Sequence, residues 1–121
     1  MSSIFDDAVS KARSAADITA KKAGEIVELT KANVKIFDTQ NTMDKVYIEI
    51  GKMVYNASKG KGDYAEEIDQ KIAVIDELSE KLSTLRDQVA TLRGNKRCQH
   101  CGKENTVENS FCGGCGSALD D

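Results

Sequence analysis

The stretch Asp63–Arg93, DYAEEIDQKIAVIDELSEKLSTLRDQVATLR, carries the pattern that decides the fold. Apolar residues recur in it every seven residues, and a second apolar set fills the intervening positions, so both sets share one helix face. This seam consists of Ile68, Ile75, Leu78, Leu82, Leu85, Val89 and Leu92, with Lys71 as its polar exception. Asp63 followed by Glu66 resembles a capping box, and Gly94 is well placed to end the helix. The stretch therefore predicts a helix over residues 63–93 that pairs with another helix.

A second seam in one unbroken heptad phase precedes the first. It consists of Leu29, Ala32, Ile36, Thr39, Met43, Val46, Ile50, Met53 and Ala57. A short polar turn with two glycines, residues 59–62, separates the seams. Because short connections place helices side by side and antiparallel, we expect a mainly α fold. Its centre would be an antiparallel coiled-coil hairpin, with a long helix over about residues 3–58.

Residues 3–27 precede both seams and are rich in alanine, the strongest helix former. At 100° per residue their apolar stripe lies nearly opposite the seam that begins at Leu29. Either the helix is straight and another chain packs on that face, or it breaks near residues 38–42 and forms a three-helix bundle. The unbroken heptad phase and the absence of proline favour continuity.

Four cysteines, all near the end of the sequence, form two pairs with the same spacing. Each pair has two residues between its members and a glycine after the second, a spacing that points two sulfurs at one metal ion. Four thiolates in a closed tetrahedron favour one structural Zn²⁺, with an iron centre, disulfides or free thiols as alternatives. His100, inside the first pair, is not needed as a ligand. The proposed ligands are Cys98, Cys101, Cys112 and Cys115.

The run CQHCGKEN, residues 98–105, followed by FCGGCGSAL, residues 111–119, resembles the small zinc-ribbon module of many prokaryotic proteins. The family pattern is C-x-x-C-G-x-x-N, then F-C-x-x-C-G-x-x-L, and this sequence meets every position. The resemblance implies two knuckles on a short β-hairpin, zinc on the four cysteines, and a small apolar core of Phe111 and Leu119. A helical stalk followed by such a ribbon also resembles small bacterial coiled-coil proteins. The family label describes a fold and carries no activity.

These patterns predict three parts: a helical stalk over residues 1–93 with its second helix over 63–93, a linker over 94–97, and a zinc ribbon over 98–121. The net charge of −3 arises in the ribbon, because basic and acidic side chains balance up to residue 97. An acidic ribbon disfavours nucleic acid, since nucleic-acid-binding surfaces are basic. The mixed charge and few bulky apolar residues of the first segment disfavour a membrane-surface helix.

The functional expectation is a non-catalytic zinc-binding coiled-coil protein that acts as a protein–protein interaction, regulatory or scaffold module. Its partner is an unidentified protein, and homo-oligomers are compatible with the seams. No catalytic or cofactor-binding residues and no small-molecule substrate are expected, because a hairpin and a closed metal site offer no cleft. The alternatives are a nucleic-acid-binding or transcription-associated protein and a peripheral membrane protein. No apolar run approaches the roughly 20 residues that cross a bilayer, and no signal peptide is recognisable, so a cytoplasmic location is expected.

Overall fold

Two long helices are followed by a two-stranded antiparallel sheet, as the sequence predicts. The computed structural model describes the backbone of residues 2–119, and the side chains of these residues except 2–5, 7–8 and 10–18. Helix α1 spans Ser2–Ser58 and helix α2 spans Ala65–Leu92. Strand β1 spans Asn95–Arg97 and strand β2 spans Glu104–Thr106. Among the described residues, no helix has a stretch both long and apolar enough to cross a bilayer.

Helix α1 continues through residues 38–42, where the sequence left a break open. The Thr42 hydroxyl donates a hydrogen bond to the Asp38 carbonyl oxygen at 3.0 Å. The Gln40 amide donates to the Asp44 carboxylate at 3.1 Å. Both bonds join residues four apart, which is the spacing of neighbours on a helix. The three-helix alternative needed a break here and is therefore wrong.

The chain divides after Lys31 into two units. We call residues 2–31 of α1 the arm, and residues 32–58 together with α2 the helical hairpin. Within the arm, every side chain that the structure describes before Leu29 is exposed. Val9 is 49% exposed, Ile26 62% and Val27 51%.

The core of the hairpin is formed by the two predicted seams. The buried members of these seams are Ala32, Thr39, Met43 and Val46 from α1, and Leu82, Leu85 and Val89 from α2. Ala90 of α2, outside the predicted seam, is also buried. Lys71, the polar exception, is partly buried and its Nζ lies 2.7 Å from the Glu49 carboxylate of α1, so it is paired across the hairpin. Ala57 is exposed, in contrast to the other predicted members of its seam. The seam on α1 therefore ends at Met53, one turn before the helix does.

The start of α2 differs from the prediction, and its end agrees with it. The helix begins at Ala65, with Tyr64 as its N-cap residue, and no side chain makes the expected capping-box bond. Asp63 instead accepts a hydrogen bond from the Ala65 backbone N–H at 3.1 Å. At the other end Gly94 has φ +74° and its N–H donates to the Thr91 carbonyl at 2.9 Å. This left-handed glycine ends the helix as expected.

The segment predicted as a linker is a strand. Residues 95–97 form β1, which pairs with β2 so that Lys96 lies opposite Asn105. We call residues 95–119 the ribbon. The second half of the ribbon is closed by an isolated antiparallel bridge between Phe111 and Ala118. Phe111 is 64% exposed, so the expectation that it forms the ribbon's core is wrong.

Ion pairs and hydrogen bonds hold the ribbon against the last turns of α2. Arg97 Nη1 donates to the Asp87 carboxylate and to the Ser83 hydroxyl, each at 3.1 Å, and its side chain is 15% exposed. Arg93 pairs with Glu104 of β2 at 3.1 Å. The same carboxylate accepts a hydrogen bond from the Asn95 amide at 3.1 Å. The ribbon is therefore docked on α2 by two ion pairs and their neighbouring hydrogen bonds.

We expect the substitution Leu85→Ala to lower the free energy of unfolding of the hairpin by about 2–5 kcal/mol, because it leaves a cavity in the buried seam. The matched control is Ile72→Ala on the same helix, where the side chain is already 47% exposed and the loss should stay below about 1 kcal/mol. Urea unfolding followed by far-UV circular dichroism measures both. Equal losses in the two variants would contradict the observed packing.

We expect Asp87→Ala to loosen the docking of the ribbon, because the partly buried Arg97 guanidinium loses its carboxylate. The loss should be about 1 kcal/mol, which is about a fivefold faster amide exchange in β1. Hydrogen–deuterium exchange of the full chain measures this, with Asp76→Ala on the same helix as the control. Unchanged exchange in β1 would show that the Arg97–Asp87 pair does not hold the ribbon.

Candidate metal centre

The first pair of cysteines lies in a tight turn directly after β1. The Cys101 backbone N–H lies 3.5 Å from Cys98 Sγ and points to it. The Gly102 N–H donates to the Cys98 carbonyl oxygen at 2.9 Å, with Gly102 at φ +82°. Only glycine adopts this backbone conformation without steric cost, which explains the glycine after the second cysteine.

The second pair repeats this geometry. The Gly114 N–H donates to Cys112 Sγ at 3.3 Å. The Gly116 N–H donates to the Cys112 carbonyl oxygen at 3.0 Å, and Gly116 has φ +76°. Each knuckle thus turns two sulfurs toward the same point and directs backbone N–H groups at the first of them.

The four sulfurs converge. Cys98 Sγ lies 3.7 Å from Cys115 Sγ, and Cys101 Sγ lies 3.5 Å from Cys112 Sγ. All four Sγ atoms lie within 4.8 Å of one another, and all four cysteines are free of disulfides. Four sulfurs at about 2.3 Å from a tetrahedral zinc ion are about 3.8 Å apart. The cluster therefore has the size that a Cys₄ zinc site requires.

Burial divides the cluster into an inner and an outer half. Cys98 is 2% exposed and Cys112 4% exposed, while Cys101 and Cys115 are exposed. Each close Sγ–Sγ pair joins an inner cysteine of one knuckle to an outer cysteine of the other. A single ion held by all four would therefore tie the two knuckles together. His100 is exposed and is not part of the cluster.

Hydrogen bonds prepare two of the thiols for ionisation. The hydroxyl and backbone N–H of Ser117 lower the pKa of Cys115 to about 5. The backbone N–H groups of Cys115 and Gly114 lower the pKa of Cys112 to about 7. The backbone N–H of Lys103 lowers the pKa of Cys101, but the hydrogen bond to Cys112 and the neighbouring thiols outweigh it and raise the value to about 11. Donors of this kind stabilise thiolates, which are the form that binds a metal.

Asn105 connects the sheet to the second knuckle. It is 6% exposed, and its amide nitrogen donates to the Lys103 carbonyl oxygen at 3.0 Å and to Cys112 Sγ at 3.5 Å. Its side-chain oxygen accepts the Gly113 N–H at 3.0 Å. The sequence places an asparagine in the motif but does not reveal this role. Asn105 therefore positions Cys112 and a knuckle turn with one buried side chain.

Two further contributions to the site are not evident from the cysteine spacing. Ser117 follows the second knuckle and supplies the donors that act on Cys115. Lys103 lies over the Gly113–Gly114 turn, where a Cβ added at Gly114 would lie 2.9 Å from Lys103 Cδ. A side chain at Gly114 would therefore require the Lys103 stem to move, whereas one at Gly113 would meet only ordinary contacts.

Residues 97–119 match the family model of the zinc-ribbon domain. No curated protein and no solved structure gives a significant match to the chain. The matched range contains all four clustered cysteines and begins at Arg97, the residue that also contacts α2. The chain therefore contains a zinc-ribbon domain, and both helices lie outside the matched range.

We expect Asn105→Ala to weaken zinc binding by about 10- to 100-fold, because loss of a side chain that supports a ligand typically has this effect on metal affinity. Competition with a chromophoric chelator measures the affinity. The control is Asn109→Ala, which removes an exposed asparagine of the loop that follows β2. If both variants bind zinc like the wild type, Asn105 does not position Cys112.

Proposed function

We propose that this chain is a non-catalytic interaction protein in which one structural Zn²⁺ folds the ribbon and a helical stalk presents it to a protein partner. The observation that carries the proposal is the convergence of four sulfurs within 4.8 Å in a ribbon docked on α2. The proposed ligands are Cys98, Cys101, Cys112 and Cys115. The cytoplasm, where thiols stay reduced, suits such a site and is its proposed location.

The donor set supports zinc as the metal. Four thiolates form a soft tetrahedral set, which suits Zn²⁺ or an iron centre. The match to the zinc-ribbon family favours zinc over iron. When bound, the ion would supply folding free energy, because a module of this size buries few apolar side chains of its own.

A closed set of four protein ligands argues against catalysis. A catalytic zinc ion keeps one position for water or substrate, whereas four cysteines fill the tetrahedron. Zinc-ribbon domains are typically structural. The role we assign to the metal is therefore to hold the two knuckles in one shape.

The surface beside the site suits a protein partner. A hollow of about 670 Å³ lies between the end of α2 and the ribbon, and its apolar lining comes from Val107, Ala118 and Leu119. Val107, which lines the hollow, is 60% exposed, and Phe111 of the same ribbon is 64% exposed. Such exposed apolar side chains beside a polar rim are typical of protein-binding surfaces.

Nucleic acid is less well supported as the partner. Two arginines at the junction of α2 and the ribbon are ion-paired, Arg93 with Glu104 and Arg97 with Asp87. These two guanidinium groups are therefore engaged in docking the ribbon, and residues 98–121 contain four acidic side chains against one lysine. A surface that binds phosphates needs several free basic side chains.

We expect Cys112→Ser to release zinc, unfold the ribbon and abolish capture of the partner in crosslinking pull-downs from the cell of origin. The far-UV helix signal should persist, because the helices are the larger part of the chain. Val107→Ser together with Phe111→Ser should retain zinc and still lose the partner. Val74→Ser, at an exposed site on α2, is the matched control.

Two outcomes would contradict the proposal. Equal capture by the Cys112→Ser variant and the wild type would show that the ribbon is not the binding surface. Collapse of the helix signal together with zinc loss would show that the stalk and the ribbon are not separate structural parts. A gel-shift titration that finds tight, strongly salt-dependent binding would favour nucleic acid instead.

A further inference from the structure

A smaller hollow, of about 210 Å³, lies where α1, α2 and the ribbon meet. Three arginines line it: Arg86 and Arg93 from α2, and Arg97 from β1. Glu104 supplies the one carboxylate among its described lining residues. Even when Asp87, which pairs with Arg97, is counted, three positive charges stand against two negative ones. A concave site with an excess of positive charge attracts small anions.

The ion pairs of Arg93 and Arg97 each use only one nitrogen of the guanidinium group. Arg93 binds Glu104 through Nη1, and Arg97 binds α2 through Nη1. A guanidinium group has five N–H donors, and in the part of the chain that the structure describes no hydrogen bond uses Nη2 of either arginine. Arg97 Nε is buried and has no hydrogen-bond partner there. A Cβ added at Gly102, which lines the same hollow, would be 3.3 Å from Arg97 Nη2 and 3.6 Å from Nε, so these unused donors lie at its wall.

Arg86 supplies the third guanidinium group. Its side chain is exposed and forms neither an ion pair nor a hydrogen bond with any residue that the structure describes. Arg86 and Arg93 are seven residues apart, which is about two helical turns, so both project from one face of α2. The planar fork of an arginine matches two oxygens of an oxyanion at once. The hollow thus brings donors from a helix and from a strand to one small volume.

We propose that this hollow binds a single phosphate-type oxyanion, either inorganic phosphate or the terminal group of a phosphate monoester. Its volume holds several water molecules of about 30 Å³ each, which is room for one tetrahedral ion. The donors we assign are the Arg86 guanidinium and the Nη2 groups of Arg93 and Arg97. One ion needs donors that converge on one point, whereas a nucleic-acid strand needs cations along its length. The site goes beyond the proposed function and does not depend on it.

A bound anion would connect the ribbon to the helix, because its donors come from both. It would therefore stabilise the docked state of the ribbon over the undocked one. At a phosphate concentration ten times the dissociation constant, amide exchange in β1 should be about tenfold slower. Hydrogen–deuterium exchange of the full chain measures this change.

Titration of the zinc-loaded full chain tests the site, with inorganic phosphate and glycerol 2-phosphate as separate probes at constant ionic strength. Isothermal titration calorimetry should find saturable binding. Arg86→Gln should weaken it about tenfold, because one charge-assisted pair of hydrogen bonds is lost. Lys81→Gln, at an exposed site on the same helix, makes the same change in net charge and should leave the dissociation constant within about twofold. Far-UV circular dichroism checks that both variants fold.

The two probes distinguish the two sources of the anion. Saturable binding of either one supports the site, and the ratio of their affinities decides between the free ion and an ester. Binding of neither probe would overturn the inference, as would equal affinity of Arg86→Gln and the wild type. Exchange in β1 that phosphate leaves unchanged would overturn it too. Arg86→Gln should still bind zinc and capture the protein partner, so failure of this inference and failure of the proposed function can be told apart.

Discussion

The packing of the two heptad seams against each other is the interaction on which the rest of the structure depends. It fixes the rotation of α2 about its axis, because Leu82, Leu85 and Val89 must face α1. Ser83 and Asp87 are four residues apart and consequently lie together on another face. That face is where Arg97 of the ribbon binds. The packing of the two helices therefore sets the orientation of the ribbon, although no residue of the ribbon belongs to either seam.

The helices could be predicted from the sequence because their pattern is local and repeats many times. Each heptad adds evidence for the same face, and proline is absent. The start of α2 could not be predicted as well, since Asp63 bonds to the N–H two residues on and leaves Tyr64 as the N-cap residue. A three-residue strand has no periodicity, so the sequence predicts a linker where β1 forms. Strand β1 forms because it pairs with β2, and the first cysteine knuckle turns the chain so that β2 lies beside β1.

The cysteine cluster could be predicted because two identical spacings, each followed by glycine, leave few geometric alternatives. Which side chains are buried inside the ribbon could not be predicted from the sequence. A motif states which residues recur but gives no burial, and the resemblance wrongly implies that Phe111 lies inside. The buried side chains of the ribbon are instead those of Cys98, Cys112 and Asn105. A polar side chain is tolerated there because its amide groups are hydrogen-bonded.

Arg97 links the candidate metal centre to the hairpin by its position in the chain. It is the last residue of β1, it precedes the buried Cys98, and its guanidinium is held by α2. The Cys98 backbone N–H in turn donates to the Lys103 carbonyl oxygen at 2.8 Å, which continues the pairing of β1 into the knuckle. The docking on α2 and the first knuckle thus involve two adjacent residues, Arg97 and Cys98. A metal ion held by the four cysteines would therefore also stabilise the contact of the ribbon with the helix.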